Sequence, residues 1–274
     1  MASPSHTPVS NTAVVPASSR KIEYLSKPAD VSMTDGYFEL ASVDHFWVRR
    51  RFEVFRELAG GLVPLARAIA DVGCGHGLLQ RQIEQAYGRE VTGFDLNQNG
   101  LAHNVSQLSR VCCYDIFQRD PSFQAHFDLL FLWDVLEHIR DEDAFLQAIL
   151  YHLAPGGRLI INVPAEEWGY SGYDRAAGHM RRYSHRSLLE TLRRNHLHVL
   201  SWTYWGFPFL PTLVFRRLWL RGERDQTRAY ATGFATGSRF ANELYGLLSH
   251  LESIPQGWAG TSLMVVCQET VFKT

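Results

Sequence analysis

Apolar runs alternate with amphipathic stretches along most of the chain. Runs rich in Val, Ile, Leu and Phe, such as 127–133 and 157–163, predict buried strands, whereas spaced apolar positions, as in 78–87, predict helices. Alternating strands and helices predict an α/β domain whose mostly parallel sheet is covered by helices on both faces. The predicted strands occupy approximately residues 67–72, 91–95, 109–113, 127–133, 157–163, 198–205 and 262–270.

Segments outside this alternation define the predicted domain boundaries. The N-terminal residues are rich in Ser, Pro, Thr and Ala and lack the continuous apolar core of a signal peptide. We therefore predict a disordered tail over 1–30 and one domain over 31–274, which begins with a helix over 40–58. Connections over 164–184 and 206–260 are long for a compact domain, which favours roles in substrate binding or as a lid.

A glycine-rich turn is the clearest local signal in the chain. The stretch 71–77 reads DVGCGHG, follows an apolar run and precedes the predicted helix over 78–87. Glycine has no Cβ, so the backbone can adopt positive φ and approach a ligand closely. The helix that follows directs its free N–H groups toward the same crevice. A strand, glycine turn and helix at the carboxyl edge of a parallel sheet are typical of a nucleotide-type cofactor site. The cofactor residues predicted here are Asp71, Gly73, Cys74, Gly75 and Gly77.

The spacing of glycines and acids indicates which cofactor is bound. A dinucleotide loop has a third glycine or alanine at the position that Leu78 occupies, which disfavours a nicotinamide cofactor. The carboxylate of Asp71 suits a ligand with an ammonium group, such as the methionine part of S-adenosylmethionine. Asp95 ends the next strand, roughly 20 positions after the loop, where an acid commonly accepts hydrogen bonds from ribose hydroxyls. Asp115 is predicted to accept a hydrogen bond from an adenine amino group. The neighbouring residues Leu96 and Tyr114 are predicted cofactor contacts as well.

Five segments in this order and spacing resemble the class I S-adenosylmethionine-dependent methyltransferases, over about residues 44–272. The central segments are similar to the ubiquinone-biosynthesis type of O-methyltransferase and its small-molecule relatives. The resemblance implies a Rossmann-like, doubly wound sheet of seven strands, with the last strand antiparallel beside the sixth, and a helical, aromatic lid insertion. It also implies S-adenosylmethionine as methyl donor and S-adenosylhomocysteine as product. The segments are DVGCGHG (71–77), VTGFDLN (91–97), CCYDIF (112–117), FDLLFLWDVLEHIRD (127–141) and LAPGGRLIINVP (153–164).

The fourth predicted strand ends in the same crevice. Trp133, Asp134 and Val135 are predicted to face the cofactor and its transferable methyl group. His138 follows in the next turn. An imidazole has a pKa near neutrality, so His138 is a candidate general base for a hydroxyl acceptor. The alternative is that His138 caps or orients the loop that follows.

A second constellation lies in the first long connection, where 174–183 has a D-x-x-x-G-H-x-R-R-Y pattern. It resembles a stretch found in many bacterial methyltransferases of unassigned substrate. Arg181, Arg182 and Tyr183 are predicted to bind a carboxylate or phosphate of the acceptor, since guanidinium groups match such anions. His179 is the preferred candidate for a base or a substrate-orienting group. Alternatively, both arginines pair with the protein's own acids and fix this loop to the core.

Two aromatic segments are further candidates for acceptor contacts. His45 and Trp47 lie on the helix over 40–58, which we predict to close over the cofactor, although aromatic residues there more often pack in a core. The segment 202–220 is strongly apolar and aromatic, but prolines interrupt it, which argues against a membrane span. Three roles stay open for this segment: it forms the wall of a pocket for a large apolar or aromatic acceptor, it docks on a membrane surface or a second subunit, or it packs in the core.

Composition narrows the function classes. The formal net charge of −1 over 274 residues provides no global basic field, which disfavours a nucleic-acid partner. The stretch after the fourth strand also lacks the N/D-P-P-Y/F motif of amino-methylating DNA enzymes. The cysteines form no metal-spaced set, which predicts reduced thiols in a cytoplasmic protein and no metal site. The cysteines are Cys74, Cys112, Cys113 and Cys267.

The sequence therefore predicts a methyltransferase that acts on a small molecule, with oxygen as the preferred acceptor atom. Because the sulfonium methyl is already activated, most of the acceleration can come from holding the two reactants in line. The expected acceptor is aromatic or apolar and carries an anionic group. Carbon or nitrogen methylation, non-methyl chemistry on the same fold, and a non-catalytic cofactor-binding role are the alternatives.

Overall fold

A computed structural model of the chain describes residues 22–29, 42–220 and 238–270. The described strands are β1 (Glu23–Tyr24), β2 (Ile69–Val72), β3 (Thr92–Asp95), β4 (Val111–Cys113), β5 (Phe127–Trp133), β6 (Leu153–Pro164), β7 (Leu197–Trp205) and β8 (Ser262–Glu269). They form one sheet in the order β1-β4-β3-β2-β5-β6-β8-β7. β1 to β6 pair in parallel, whereas β8 runs antiparallel to both of its neighbours, β6 and β7. The doubly wound α/β class and the antiparallel last strand are therefore confirmed.

Helices cover both faces of this sheet. Within the described ranges they are α1 (Phe46–Ala59), α2 (Leu78–Tyr87), α3 (Gln98–Ala102), α4 (Glu142–His152), α5 (Gly172–Ala176), α6 (His185–Arg194), α7 (Leu210–Trp219) and α8 (Arg239–Ser249). Alternate side chains of a strand point to opposite faces. In β6, Leu159 and Ile161 accordingly join a core layer with α4 and α6, whereas Ile160 joins a layer with α1 and α2.

The sheet has one strand more than the seven that the sequence predicts. Glu23–Tyr24 pairs in parallel with β4, and the N–H group of Ala29 donates to the carbonyl oxygen of Leu96 at 3.1 Å. The predicted disordered tail over 1–30 is therefore wrong for β1. The sequence did not reveal this strand because two residues are too few to show a strand periodicity. Residues 1–21 of that tail lie outside the described part of the chain.

The first long helix begins later than predicted. α1 starts at Phe46, and His45 caps it, because the Nδ1 atom of His45 accepts a hydrogen bond from the N–H group of Trp47 at 3.2 Å. This bond satisfies one of the donors that a helix start leaves without an intrahelical partner. Residues 42–45 precede the helix, and the predicted start at 40 lies outside the described residues.

Both long connections carry short helices. The connection over 164–184 contains a 3₁₀ turn, Glu167–Gly169, and α5. The connection over 206–260 contains a 3₁₀ turn, Phe207–Phe209, together with α7 and α8, while 221–237 lies outside the described residues. α7 contacts both Glu167–Gly169 and α5, and α8 contacts α1. Helices from the two connections therefore pack against each other.

Candidate active site

The glycine loop joins β2 to α2, as the sequence predicts. Gly73, Gly75 and Gly77 have φ angles of 78°, 51° and 75°, a region that residues with a Cβ rarely adopt. A Cβ at Gly73 would lie 2.4 Å from the Cγ2 atom of Val135. The N–H group of Gly73 donates to the carbonyl oxygen of Phe94 at 2.7 Å, which ties the loop to β3. Glycine at position 73 is thus required by both backbone conformation and space.

Asp71 lies just before this loop, in β2. Its side chain lines a cavity of about 320 Å³ together with Gly73, Cys74 and Gly75. Asp71 is buried, and burial raises its pKa to about 7, although the guanidinium of Arg51 works against this rise. A buried carboxyl group whose charge is poorly compensated favours a cationic ligand. The position of Asp71 thus agrees with the predicted contact to an ammonium group.

Asp95 ends β3 beside the loop. Its Oδ2 atom accepts a hydrogen bond from the N–H group of Gly75 at 2.7 Å, and its Oδ1 atom accepts one from Asn97 at 2.8 Å. Burial raises the pKa of Asp95, and the two backbone donors oppose this rise. Asp95 therefore stabilises the shape of the loop from the carboxyl end of β3, the edge where such sheets bind nucleotides.

The side chain of Tyr114 points into the core, so the predicted cofactor contact of this residue would have to come from its backbone. Tyr114 is buried in the core layer that includes α4, and its hydroxyl oxygen lies 2.9 Å from the Nε2 atom of His152. The same oxygen accepts a hydrogen bond from the N–H group of Asp120 at 2.7 Å. Asp115 caps the 3₁₀ turn Ile116–Gln118, and its adenine contact stays a prediction.

The carboxylate of Asp134 is held in place just after the end of β5. Asp134 has a positive φ of 55°, and its carboxylate accepts hydrogen bonds from Arg51 and, at 2.7 Å, from the Nδ2 atom of Asn162. Asn162 in turn accepts a hydrogen bond from the indole N–H of Trp205 at 2.8 Å. The guanidinium of Arg51 lies 4.8 Å from the ring centroid of Trp133, a cation–π distance. Arg51, Trp133 and Asp134 therefore line the cavity in a defined arrangement.

Two histidines and a glutamate meet in another part of the cavity wall. Glu137, His138 and His179 each place one potential ligand atom within 4.8 Å of the others, a spacing that suits a metal ion and that the sequence does not predict. The rings of His138 and His179 are nearly perpendicular, with centroids 4.9 Å apart. Burial and the neighbouring His179 lower the pKa of His138 to about 4, so this imidazole is neutral near pH 7.

Glu137 is a functional candidate that sequence reasoning missed. Its side chain is fully buried, and neither carboxylate oxygen has a hydrogen-bond partner within the described part of the chain. Its Oε1 atom lies 3.9 Å from the Nε2 atom of His179. Burial and the charge of Asp134 raise the pKa of Glu137 well above its usual range. An unpartnered, buried carboxyl group at a cavity wall indicates a contact with a ligand.

The D-x-x-x-G-H-x-R-R-Y constellation is divided between the cavity and the protein's own acids. His179 and Arg182 line the cavity. Arg181 instead forms an ion pair with Glu142, and the hydroxyl of Tyr183 donates to the same carboxylate at 2.7 Å. The Nε atom of Arg182 donates to Asp174 at 2.7 Å, so both arginines pair with the protein's own acids, which is the alternative role of fixing the loop. Arg181 and Tyr183 do not line the cavity, and an acceptor contact by Arg182 stays a prediction.

Aromatic side chains form a further part of the wall. The rings of Trp47 and Trp205 lie 4.3 Å apart, and Phe209 lies 5.3 Å from Phe46 and 6.1 Å from Tyr245. These contacts join α1, the 3₁₀ turn after β7, and α8. The segment 202–220 thus contributes both to the core and to the cavity. His45, Leu213 and Phe215 also line this cavity.

A family model for a methyltransferase domain matches residues 43–202. The chain belongs to this methyltransferase family. The ubiquinone biosynthesis O-methyltransferase of Bordetella avium is 32% identical over 115 residues, covering 39% of this chain and 46% of the relative. Phosphoethanolamine N-methyltransferase 1 of Triticum aestivum is 26% identical over 140 residues, covering 45% and 28%. The matched region thus spans less than half the length of either relative.

A solved structure shows the same fold. The [4+2]-cyclase SpnF superposes on this chain with a TM-score of 0.54 and 18% identity, covering 90% of this chain and 99% of the cyclase. Likeness at this identity supports the architecture and no particular reaction.

S-adenosylmethionine is the cofactor of this methyltransferase family, and the cavity residues fit it. Asp71 would hold the ammonium group, because its carboxyl group is buried with little compensation. Gly73 and Gly75 would allow the ligand close to the backbone. Asp95 ends β3 beside the glycine loop, and its contact with the ribose hydroxyls stays a prediction.

The described helices include none with the length and apolar character needed to cross a membrane. Leu218 and Trp219 of α7 are exposed, and contact of this helix with a membrane surface or second subunit stays a prediction. All four cysteines of the chain are free and buried.

Proposed function

We propose that this methyltransferase transfers a methyl group from S-adenosylmethionine to a hydroxyl oxygen of a small molecule, with His179 as general base. The observation that carries the proposal is one cavity whose wall includes Asp71 and Gly73 on the cofactor side and the imidazole of His179. Donor and acceptor would therefore share one enclosed space, which supports in-line transfer by orientation. When bound, S-adenosylmethionine supplies the activated sulfonium methyl group.

His179 suits the role of base better than His138. The Nδ1 atom of His179 lies 3.0 Å from the carboxylate of Asp174, which would stabilise a positive charge on the ring. His138 has a pKa lowered to about 4 by burial and by His179, which makes it a weak base near pH 7. A positioned base contributes about 10²–10⁴-fold to such reactions.

The aromatic part of the cavity wall favours an apolar acceptor. Phe46, Trp47, Phe209 and Tyr245 supply rings from three separate elements. Such a wall excludes water and offers contact area to an aromatic or aliphatic body. The two long connections, 164–184 and 206–260, contribute much of this lining, which supports their proposed role in acceptor binding.

Nitrogen methylation is the second candidate, and Glu137 favours it. An acidic side chain that is fully buried and unpartnered at the wall would suit the ammonium group of an amine acceptor. One relative of this chain carries the name of an N-methyltransferase. In this case the amine must lose a proton before transfer, so His179 would keep the same role.

The test uses purified full-length protein with S-adenosylmethionine that carries an isotopically labelled methyl group. Panels of phenolic, aliphatic hydroxyl and amine acceptors are screened for S-adenosylhomocysteine by chromatography and for labelled product by mass spectrometry. We expect label on a hydroxyl oxygen. Label found only on amines would replace the first candidate with the second. Cofactor binding without any product would overturn both.

A matched pair of variants tests the base. His179→Ala should lower kcat with a hydroxyl acceptor by about 10²–10⁴-fold while leaving cofactor affinity near normal. His198→Ala removes an exposed histidine of β7 and should leave both quantities unchanged. Wild-type turnover in His179→Ala would exclude this residue as base.

A further inference from the structure

The carboxylate of Asp174 has a full set of hydrogen-bond donors. Asp174 lies in α5 and is completely buried. Its Oδ2 atom accepts hydrogen bonds from the N–H group and the hydroxyl of Ser171, at 2.8 and 3.1 Å. Its Oδ1 atom accepts one from the Nε atom of Arg182 at 2.7 Å and faces the Nδ1 atom of His179 at 3.0 Å. These four contacts fill the four lone-pair sites of an ionised carboxylate.

Charge as well as geometry keeps this carboxylate ionised. Burial alone would raise the pKa of Asp174, but the hydrogen bond from His179 and the charge of Arg182 outweigh it and lower the pKa to about 2. Arg182 is itself held in place, because its Nη1 atom donates to the carbonyl oxygen of Ala165 at 3.0 Å. Asp174 is therefore an acceptor only.

An acceptor-only partner determines which nitrogen of His179 carries the proton. The Nδ1 atom of His179 must be the donor to Asp174, so the neutral ring keeps its lone pair on Nε2. The backbone of His179 is held as well, because its N–H group donates to the carbonyl oxygen of Asp174 and its own carbonyl accepts from the hydroxyl of Tyr170, both at 2.8 Å. The Nε2 atom lies on the side of Glu137, where the ring lines the cavity.

We infer that Asp174 is a positioning residue, which holds His179 in the tautomer that presents an unprotonated Nε2 atom to the methyl acceptor. This inference rests on the proposed function. In the step, the acceptor O–H bond breaks, its proton moves to Nε2, and its electron pair stays on oxygen. The oxygen then bonds to the methyl carbon as the carbon–sulfur bond breaks, and that electron pair remains on sulfur.

Asp174 also stabilises the ring after the proton has moved. The imidazolium of His179 would lie between Asp174 at Nδ1 and Glu137 near Nε2. The other groups nearby are the cationic Arg182, which pairs with Asp174, and the neutral ring of His138. Arg182 balances the charge of Asp174 while the ring is neutral. The arrangement is thus suited to a ring that alternates between neutral and charged forms.

The first test needs no acceptor and no variant of Asp174. Long-range ¹H–¹⁵N correlation spectra of the full-length protein labelled with ¹⁵N-histidine report which ring nitrogen carries the proton. The sample contains a chelator, because Glu137, His138 and His179 have the spacing of a metal site. The spectrum of His179→Ala assigns the signals. We expect neutral His179 to be protonated at Nδ1, and protonation at Nε2 would overturn the inference.

The second test is kinetic. Asp174→Asn removes the negative charge of the carboxylate that faces the Nδ1 atom of His179 and replaces one of its two acceptor oxygens by a donor. We expect a kcat lowered by about 10²–10⁴-fold, with little change in KM or cofactor affinity. Asp143→Asn is the control, since it removes a half-exposed carboxylate that pairs with an arginine outside the cavity, and its kinetics should match wild type.

The outcomes separate this inference from the proposed function. A folded Asp174→Asn protein with wild-type kcat would overturn the positioning role, even with hydroxyl methylation established. If Asp174→Asn does not fold, the wild-type spectrum decides. Absence of any hydroxyl product would overturn the proposed function alone, because the tautomer of His179 is measured without an acceptor.

Discussion

The affinity for the cofactor should depend on pH, because Asp71 is buried and its pKa is raised. The residue is fully buried, and its pKa is raised to about 7. Below pH 7 the empty site therefore holds a protonated Asp71, which must release its proton before it can pair with the ammonium group of the ligand. We expect binding to release a proton under these conditions, and the affinity to rise with pH until Asp71 is ionised.

The size of this effect follows from the pKa. The association constant should fall about tenfold per pH unit below 7, hence about 100-fold at pH 5, or about 2.7 kcal/mol. Near pH 8 the affinity should fall again, because the α-amino group of the ligand begins to lose its own proton. Asp71→Asn removes the charge that the ammonium group needs, which should cost about 2–5 kcal/mol of binding free energy and abolish the dependence between pH 5 and 7.

The same pKa shift has the opposite sign for folding. A carboxyl group whose pKa rises on folding from 3.8 to about 7 binds more protons in the folded state, so the free energy of unfolding falls as pH rises through that range. At pH 8 the ionised group costs up to about 4 kcal/mol, since each pKa unit corresponds to about 1.4 kcal/mol. Asp71→Asn should therefore unfold at higher urea concentration than wild type when no ligand is present.

Calorimetry with S-adenosylhomocysteine measures the affinity between pH 5 and 8, and buffers with different ionisation enthalpies count the protons released. An affinity of the wild-type protein that stays constant from pH 5 to 7 would refute the reasoning. So would an Asp71→Asn protein that binds as tightly as wild type, because the ammonium contact would then lie elsewhere.

Three further substitutions test the loop and its surroundings. Gly73→Ala should lower the free energy of unfolding by about 1–3 kcal/mol and weaken cofactor binding. Gly61→Ala is the control, because a Cβ there meets nothing within 4 Å, and it should leave both quantities nearly unchanged in urea denaturation and calorimetry. Asp95→Ala should sharply weaken binding of S-adenosylmethionine by calorimetry, and an unchanged affinity would contradict the ribose assignment. Asn162→Ala should cost about 1–3 kcal/mol in urea unfolding, because Asp134 and an indole N–H lose their partner; an unshifted midpoint would count against this network.

The sequence was sufficient for seven of the eight described strands and for the edge of the sheet where the cofactor is expected. Buried parallel strands leave continuous apolar runs, so β5 and β8 were located within a residue of their observed bounds. Chain order then places the residues after each strand at one edge, which is why Asp71, Gly73 and Asp95 were found without any structure.

The sequence did not predict the directions in which individual side chains point. β4 has three residues, too few for an alternation to show that Tyr114 points into the core. Arg181 and Arg182 are adjacent and chemically equal, and only their partners Glu142 and Asp174 distinguish them. Glu137 and His179 lie 3.9 Å apart although they belong to two different connections, and no local sequence pattern reports such a proximity.

The place of β8 within the sheet has a consequence for synthesis on the ribosome. β8 contains some of the last described residues, yet it lies between β6 and β7 and provides the hydrogen bonds of both. β8 follows β7 by about 60 residues and β6 by about 100, so the open edge of β7 waits about 3–12 s and that of β6 about 5–20 s while the nascent chain grows. A premature stop codon between residues 206 and 261 would therefore leave the edges of β6 and β7 that face β8 unpaired, and we expect its product to require chaperones or to aggregate.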